Sequence, residues 1–245
     1  MRLLLLPLPS NAGREDENLA GLERALGEAP PVDLVVVAEA FEQGFEAITE
    51  DPRHDLAMGW EESSPEIAQD REMARRHRTA ICFGFIERAG DVLHSSAIVV
   101  DRDGTTLALY RRMSPGWRGG EVDTSVYVDG TEPVCFELCG QRVTIALCGD
   151  LWVVPERFAQ LDADPLLWPV FVNFTPERRS GEISDYSAQA GSVCRRVALV
   201  NSLADQTPTS PEWAGTAHGG AAWFTNGTVA ASLPMGQPGQ LVVHA

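Results

Sequence analysis

No lysine occurs anywhere in the 245 residues, so every side chain with a permanent positive charge is an arginine. Against 35 aspartates and glutamates the 19 arginines leave a formal net charge of −16. So acidic a surface repels phosphate backbones and anionic headgroups, which sets aside nucleic acid and membrane as main partners. Cysteine is sparse: Cys82, Cys135, Cys139, Cys148 and Cys194 are odd in number and contain no Cys-x-x-Cys pair. A reduced, cytoplasmic protein is therefore expected, not a disulfide scaffold. No apolar run is long enough to span a bilayer. The opening Met-Arg-Leu-Leu-Leu-Leu is cut short by Pro7 and Pro9 and reads as a strand, not a signal peptide. His54, His77, His94, His218 and His244 are scattered without an HExxH spacing, so no metal site is expected. A P-loop and a GxSxG elbow are also missing.

What is present is enough apolar residue, 44%, for a substantial core. Apolar runs of strand type are expected over residues 2–8, 33–38, 79–87, 166–174, 197–203 and 240–244. Hairpins are expected at Asp103-Gly104, around Gly140 and at Asn226-Gly227. Helical spacing places helices over 17–29 and 183–195, and Ser64-Pro65-Glu66 caps a third that runs to about residue 77. The acidic stretch 41–62 reads as a surface excursion. About twelve strands and four or five helices, spread evenly with no linker, point to one α/β domain with two packed sheets and helices outside.

Residues 143–156 carry the chemistry. Val143, Ile145 and Leu147 alternate as in a buried strand, the chain breaks at Gly149-Asp150, and Pro155-Glu156 starts a helix. Cys148 then stands where a strand gives way to a turn. It is either a buried structural thiol or a nucleophile whose following N–H groups face a developing negative charge. Glu39, closing the apolar run 34–38, either emerges into solvent or acts as a general base. Arg111 and Arg112, at a hairpin end, are either a solvated pair or a cation aimed at an acyl oxygen.

Together these residues resemble the carbon–nitrogen hydrolases, the nitrilase superfamily. The resemblance rests on Glu39 after its strand, Tyr110-Arg111-Arg112 after the Asp-Gly hairpin, and Leu147-Cys148-Gly149-Asp150 before Pro155-Glu156. Pro-x-Pro-Ser-Asn at the start, Asn18-Leu19 and the Asn226-Gly227 hairpin extend it over nearly the whole chain. It implies a four-layer α-β-β-α sandwich filling residues 1–245 as a single domain, pairing into a homodimer or higher homo-oligomer. It also implies cysteine-dependent hydrolysis, or acyl transfer, of a small amide or nitrile without a cofactor; a small carboxylic acid is a further possible ligand. Carried over position by position, Cys148 is the nucleophile, Glu39 the base, and the Gly149 N–H part of the oxyanion site. Arg112 falls where the family places its catalytic lysine, and Glu121 near a second family glutamate.

Two departures follow from the resemblance. Arginine keeps the positive charge of lysine, but it is longer, planar and never gives up its proton. Gly149 stands where many members carry a larger residue, which would widen the pocket. The alternative to an active amidase is a pseudoenzyme or regulatory homologue that binds a small molecule without turnover. For substrate contacts, Trp117 and Trp152 offer apolar walls beside the thiol, Phe174 ends a strand near it, and Arg178 offers a partner for a carboxylate; core packing and a solvated arginine pair are the competing readings.

Overall fold

The computed structural model of the chain describes residues 1–173, 175, 177–204 and 216–245. Among them, β1 (Arg2–Leu5), β2 (Leu34–Val36), β3 (Ala80–Ala89), β4 (Val92–Val100), β5 (Thr106–Arg111) and β12 (Leu241–His244) form one sheet in the order β12-β1-β2-β3-β4-β5. The second sheet contains β6 (Cys135–Leu138), β7 (Gln141–Ile145), β8 (Leu166–Val170), β9 (Arg196–Asn201), β10 (Ala221–Thr225) and β11 (Thr228–Leu233), in the order β11-β10-β9-β8-β7-β6. In each sheet three strands run parallel; hairpins complete the edges, except that β12 closes the first sheet by pairing antiparallel with β1.

Alternation along the strands sorts the side chains into layers. Leu3, Leu5, Leu34, Val36, Cys82 and Val99 face inward and pack with Val143, Ile145, Leu167 and Val200 of the other sheet. Their neighbours Leu4, Val35, Ile81, Phe83 and Ile98 face outward, against Leu22 and Leu26 of α1 (Glu15–Glu28) and Ile67 and Met73. The last two belong to α3 (Pro65–His77), which follows the short α2 (Pro52–Met58). Ser64 caps α3, its hydroxyl accepting from the Ile67 N–H, and Pro65 sits in the first turn where no N–H is needed. Over the second sheet lie α4 (Asp150–Val153), α5 (Pro155–Ala159) and α6 (Arg179–Val193). Phe158 and Ala190 pack into the core from that side. The result is the four-layer α-β-β-α sandwich. No helix among the described residues is long and apolar enough to cross a membrane.

The stretch 41–62 is a surface excursion only in its second part: residues 49–62 are mostly exposed or half-buried, whereas the start of the stretch is not. Residues 40–46 and Ile48 are buried although Glu42 and Glu46 lie among them. Gln43 explains how a polar segment is accommodated: its side-chain oxygen accepts from the Ile86 N–H at 3.1 Å, and its Nε2 donates to the Ile86 carbonyl at 3.2 Å. Asn18 of α1 donates to the carbonyls of Glu42 and Phe41. Backbone groups in this irregular segment are thus satisfied by side chains that composition alone counts as surface residues.

The topology sets where chemistry can happen. Strands β2, β5, β7 and β8 all run the same way within their sheets, so Glu39, Arg112, Cys148 and Phe171 leave their strands at carboxyl ends. Ser202, just past β9, donates to the Glu39 carbonyl at 3.2 Å, and the Ser10 N–H donates to the Leu203 carbonyl at 2.9 Å. These two bonds tie the ends of the two sheets together at one rim, the place where open α/β sheets gather ligand-binding residues.

Candidate active site

Glu39 arrives at the rim through an unusually close crossing. A Cβ at Gly84 of β3 would lie 2.5 Å from the Ala40 nitrogen and 2.8 Å from both the Ala38 oxygen and the Glu39 Cα. Only glycine lets the 38–40 segment lie down on β3, and Ala40 then turns with φ +46°. Gly84→Ala is therefore expected to lose about 2–3 kcal/mol of stability, read as a lowered urea midpoint, because the obstructing atoms are backbone and cannot swing away. A midpoint equal to that of the unsubstituted protein would show that the crossing tolerates a methyl group.

The Glu39 side chain is fully buried, and its Oε1 accepts from the Ser95 hydroxyl at 2.9 Å and from Arg112 Nη1 at 2.8 Å. Its Oε2 has no hydrogen-bond partner among the described residues. Arg112 is 3% exposed. Its Nε donates to the Ser114 hydroxyl at 2.8 Å, and its own N–H donates to the Ser95 carbonyl at 2.8 Å. Ser95 thus holds the Glu39 carboxylate through its hydroxyl and the Arg112 backbone through its carbonyl. An ion pair this deep survives because both partners carry further hydrogen bonds that offset the loss of water.

Cys148 follows β7 at φ +37°, a left-handed conformation that a side-chain-bearing residue rarely adopts. Its carbonyl accepts from the Trp168 indole at 2.9 Å, its N–H donates to the Pro169 carbonyl at 3.0 Å, and its thiol reaches the Phe171 carbonyl at 3.4 Å. Burial pushes the thiol up to about 12; the Arg112 guanidinium pulls the other way, and the Glu39 carboxylate adds to the rise. At neutral pH the resting sulfur is therefore a thiol, and attack requires a base. The Gly149 N–H donates no hydrogen bond among the described residues.

Asp150 locks this elbow to the arginine loop. Its Oδ2 accepts from the Tyr110 hydroxyl at 2.5 Å and the Leu147 N–H at 2.8 Å, while Oδ1 accepts from the N–H groups of Ser114 at 2.8 Å and Met113 at 3.1 Å. Burial and the adjacent carboxylate raise the Tyr110 phenol far above its ordinary range, so it remains a donor. One carboxylate thereby fixes both the chain before Cys148 and the chain after Arg112.

The structure brings Glu39, Arg112, Cys148 and Gly149 into one cluster. Glu121 is exposed on the turn following Gly120 and shares no hydrogen bond with that cluster. Trp117 is fully buried; its indole donates to Asp129 at 2.8 Å and its ring lies against Tyr127, in a packed group that includes Phe45 and Phe171. Trp152 is 44% exposed on α4, edge-on to Tyr186 at 5.2 Å in the outer helical layer. Arg178 is exposed and pairs with Glu182 of α6. Phe174 lies outside the described residues. The space expected to open at Gly149 is not open: a Cβ there would lie 2.9 Å from Arg112 Nη2, so the guanidinium fills it. Ser95, Ser114, Gly84 and Asp150 were not legible as site residues, since single serines and glycines carry no spacing signal and Asp150 reads as an ordinary turn former. Among the described residues no three His, Cys, Asp or Glu side chains gather as a metal site.

The carbon–nitrogen hydrolase family profile matches residues 6–164. The chain is 24% identical over 176 residues to the N-carbamoylputrescine amidase of Arabidopsis thaliana, an alignment covering 69% of this chain and 58% of that protein. A shorter match, 41% over 51 residues, covers 21% of this chain and 15% of the bromoxynil-specific nitrilase of Klebsiella pneumoniae subsp. ozaenae. The chain thus spans less than two thirds of the length of these relatives. Among solved structures, a carbon–nitrogen hydrolase from Helicobacter pylori G27 superposes with TM-score 0.82 at 18% identity, over 99% of this chain and 87% of that one. An amidase from Nesterenkonia sp. superposes with TM-score 0.76 at 20% identity, over 99% and 89%.

Proposed function

This chain belongs to the carbon–nitrogen hydrolase family, and we propose that it hydrolyses a small non-peptide amide through a covalent intermediate on Cys148. The observation that carries the reading is the buried Glu39–Arg112 ion pair, 2.8 Å long, whose two charges both act on the Cys148 thiol. A structural protein has no use for a carboxylate, a guanidinium and a thiol withdrawn from water at one rim, since apolar residues of similar volume would stabilise it as well.

The steps follow from the donors and acceptors present. Cys148 Sγ attacks the amide carbon, and its proton passes to Glu39, whose Oε2 is unoccupied by other bonds. Because burial raises the thiol, a base must take its proton for the sulfur to attack. The oxyanion is stabilised by the Gly149 N–H and by Arg112, both in place before the charge develops. The intermediate collapses to a thioester as Glu39 returns the proton to the leaving amine. Water then attacks the thioester, gives a proton to Glu39, and the carboxylic acid departs as the thiol re-forms. Every proton is accounted for by one carboxylate and the bound groups, with no further co-reactant.

Short aliphatic amides and N-carbamoyl amines are the first substrates to try, with ammonia or amine release as the measurement. Saturable release that scales with enzyme supports the proposal. A second reading is favoured by the exposure of Glu121: without a second glutamate at the thiol, the chain binds a small amide but does not turn it over. Saturable binding of butyramide by calorimetry with no ammonia released would select that reading.

A further inference from the structure

Arg112 and Gly149, 37 positions apart in the chain, are adjacent in space. A Cβ at Gly149 would lie 2.9 Å from Arg112 Nη2 and 3.0 Å from the Ser114 hydroxyl. A Cβ at Gly116 would also approach that same Nη2, to 3.0 Å. An obstructing atom at the end of a long side chain can usually move aside. Here it cannot do so cheaply, because Nε is held by Ser114, Nη1 is held by Glu39, and the residue is 3% exposed. Guanidinium planarity then fixes Nη2 in the plane set by the other two nitrogens.

Resting on the hydrolase reading above, we propose that Gly149, Gly116 and Ser114 are positioning residues that convert Arg112 into a one-ended donor. Two of its three nitrogens are committed to holding the fork. Nη2 donates to no group among the described residues, and it lies beside the Gly149 backbone whose N–H is equally unengaged. A single N–H-bearing nitrogen at the end of a rigid arm does what a lysine ammonium would do at an oxyanion, and glycine supplies the room that the larger guanidinium needs. The locked geometry also selects the ligand. With one donor of each bidentate edge spent, Nε on Ser114 and Nη1 on Glu39, Arg112 meets a carbonyl oxygen through Nη2 alone and cannot clamp a substrate carboxylate, so neutral amides are preferred over carboxylates at this position.

The test is a double-variant cycle read on Cys148 alkylation, which needs no turnover and so does not depend on a substrate being found. Iodoacetamide and acrylamide are the probes, at fixed pH 7.5, with the rate at Cys148 followed by peptide mass spectrometry. Well below its pKa a thiol loses about tenfold in thiolate for each unit by which that pKa rises. Gly149→Ala, by pushing Nη2 off the rim, is expected to slow alkylation about tenfold or more. In an Arg112→Lys background, where the planar end is gone, adding Gly149→Ala is expected to change the rate less than about threefold. Equal factors in both backgrounds, or an unchanged rate for Gly149→Ala alone, would overturn the proposal. Should Gly149→Ala fail to fold, Ser114→Ala carries the test: it frees Nε, and its alkylation rate is expected to fall several-fold in a protein that still melts cooperatively, at a somewhat lower temperature because a buried N–H loses its acceptor. An unchanged rate in Ser114→Ala would equally overturn it. Iodoacetate, the anionic counterpart of iodoacetamide, should gain no advantage from the arginine; a faster reaction with iodoacetate than with iodoacetamide at Cys148 would contradict the single-donor geometry.

Discussion

Cys148→Ala is expected to abolish amide hydrolysis, with a loss of about 10⁴-fold or more and no remaining dependence on enzyme concentration above background. The size of the effect follows from the mechanism: without sulfur there is no thioester, and neither Glu39 nor Arg112 can substitute for a bond-forming atom. Folding should be spared. The residue is only partly buried, its backbone is held by Trp168 and Pro169, and among the described residues the thiol's one hydrogen-bond partner is the Phe171 carbonyl at 3.4 Å. The measurement is ammonia release from whichever amide the unsubstituted protein hydrolyses, beside a thermal melt. Turnover that survives in Cys148→Ala would remove the covalent path and leave only the architecture.

Arg112→Met is expected to be the most damaging substitution for stability. It removes the partner of a carboxylate that is fully buried and leaves Glu39 with Ser95 as its remaining hydrogen-bond donor. Breaking a buried pair from one side costs about 3–5 kcal/mol. For a chain of this length that is roughly a 10 °C fall in melting temperature, at about 2–4 °C per kcal/mol. Replacing both partners, Glu39→Gln with Arg112→Met, should recover much of the loss, because no unpaired charge then remains in the interior. Thermal unfolding of the two single variants and the double variant measures this directly. A melting temperature within 2–3 °C of the unsubstituted protein for Arg112→Met, on the same scale, would mean that the pair contributes little and that water reaches the site more freely than its burial implies. Activity should be lost in both, since one lacks the oxyanion cation and the other lacks the base as well.

The sandwich was largely legible. The hairpin at Asn226-Gly227 forms between β10 and β11, and Ser64-Pro65 starts α3 as its capping chemistry predicts. Turn residues and caps act over three or four positions, so a single sequence carries them completely. Residues 41–48, at the start of the stretch 41–62, misled for the opposite reason. Their glutamates count as surface residues in composition, while their burial depends on Gln43 meeting Ile86, 43 residues away, and on Asn18 meeting Glu42.

The sequence by itself determined the strand alternation, the turns, the family resemblance and the identity of the thiol, carboxylate and guanidinium. Only the tertiary structure decided that Glu39 and Arg112, 73 residues apart, share a buried bond, that Gly149 is filled by an arginine and not by solvent, and that Trp117 is packed. Local rules depend on backbone preferences that each residue brings with it. Whether a charge is buried, paired or free depends on which distant strand ends the topology brings to the same rim, and no window along the chain contains that information.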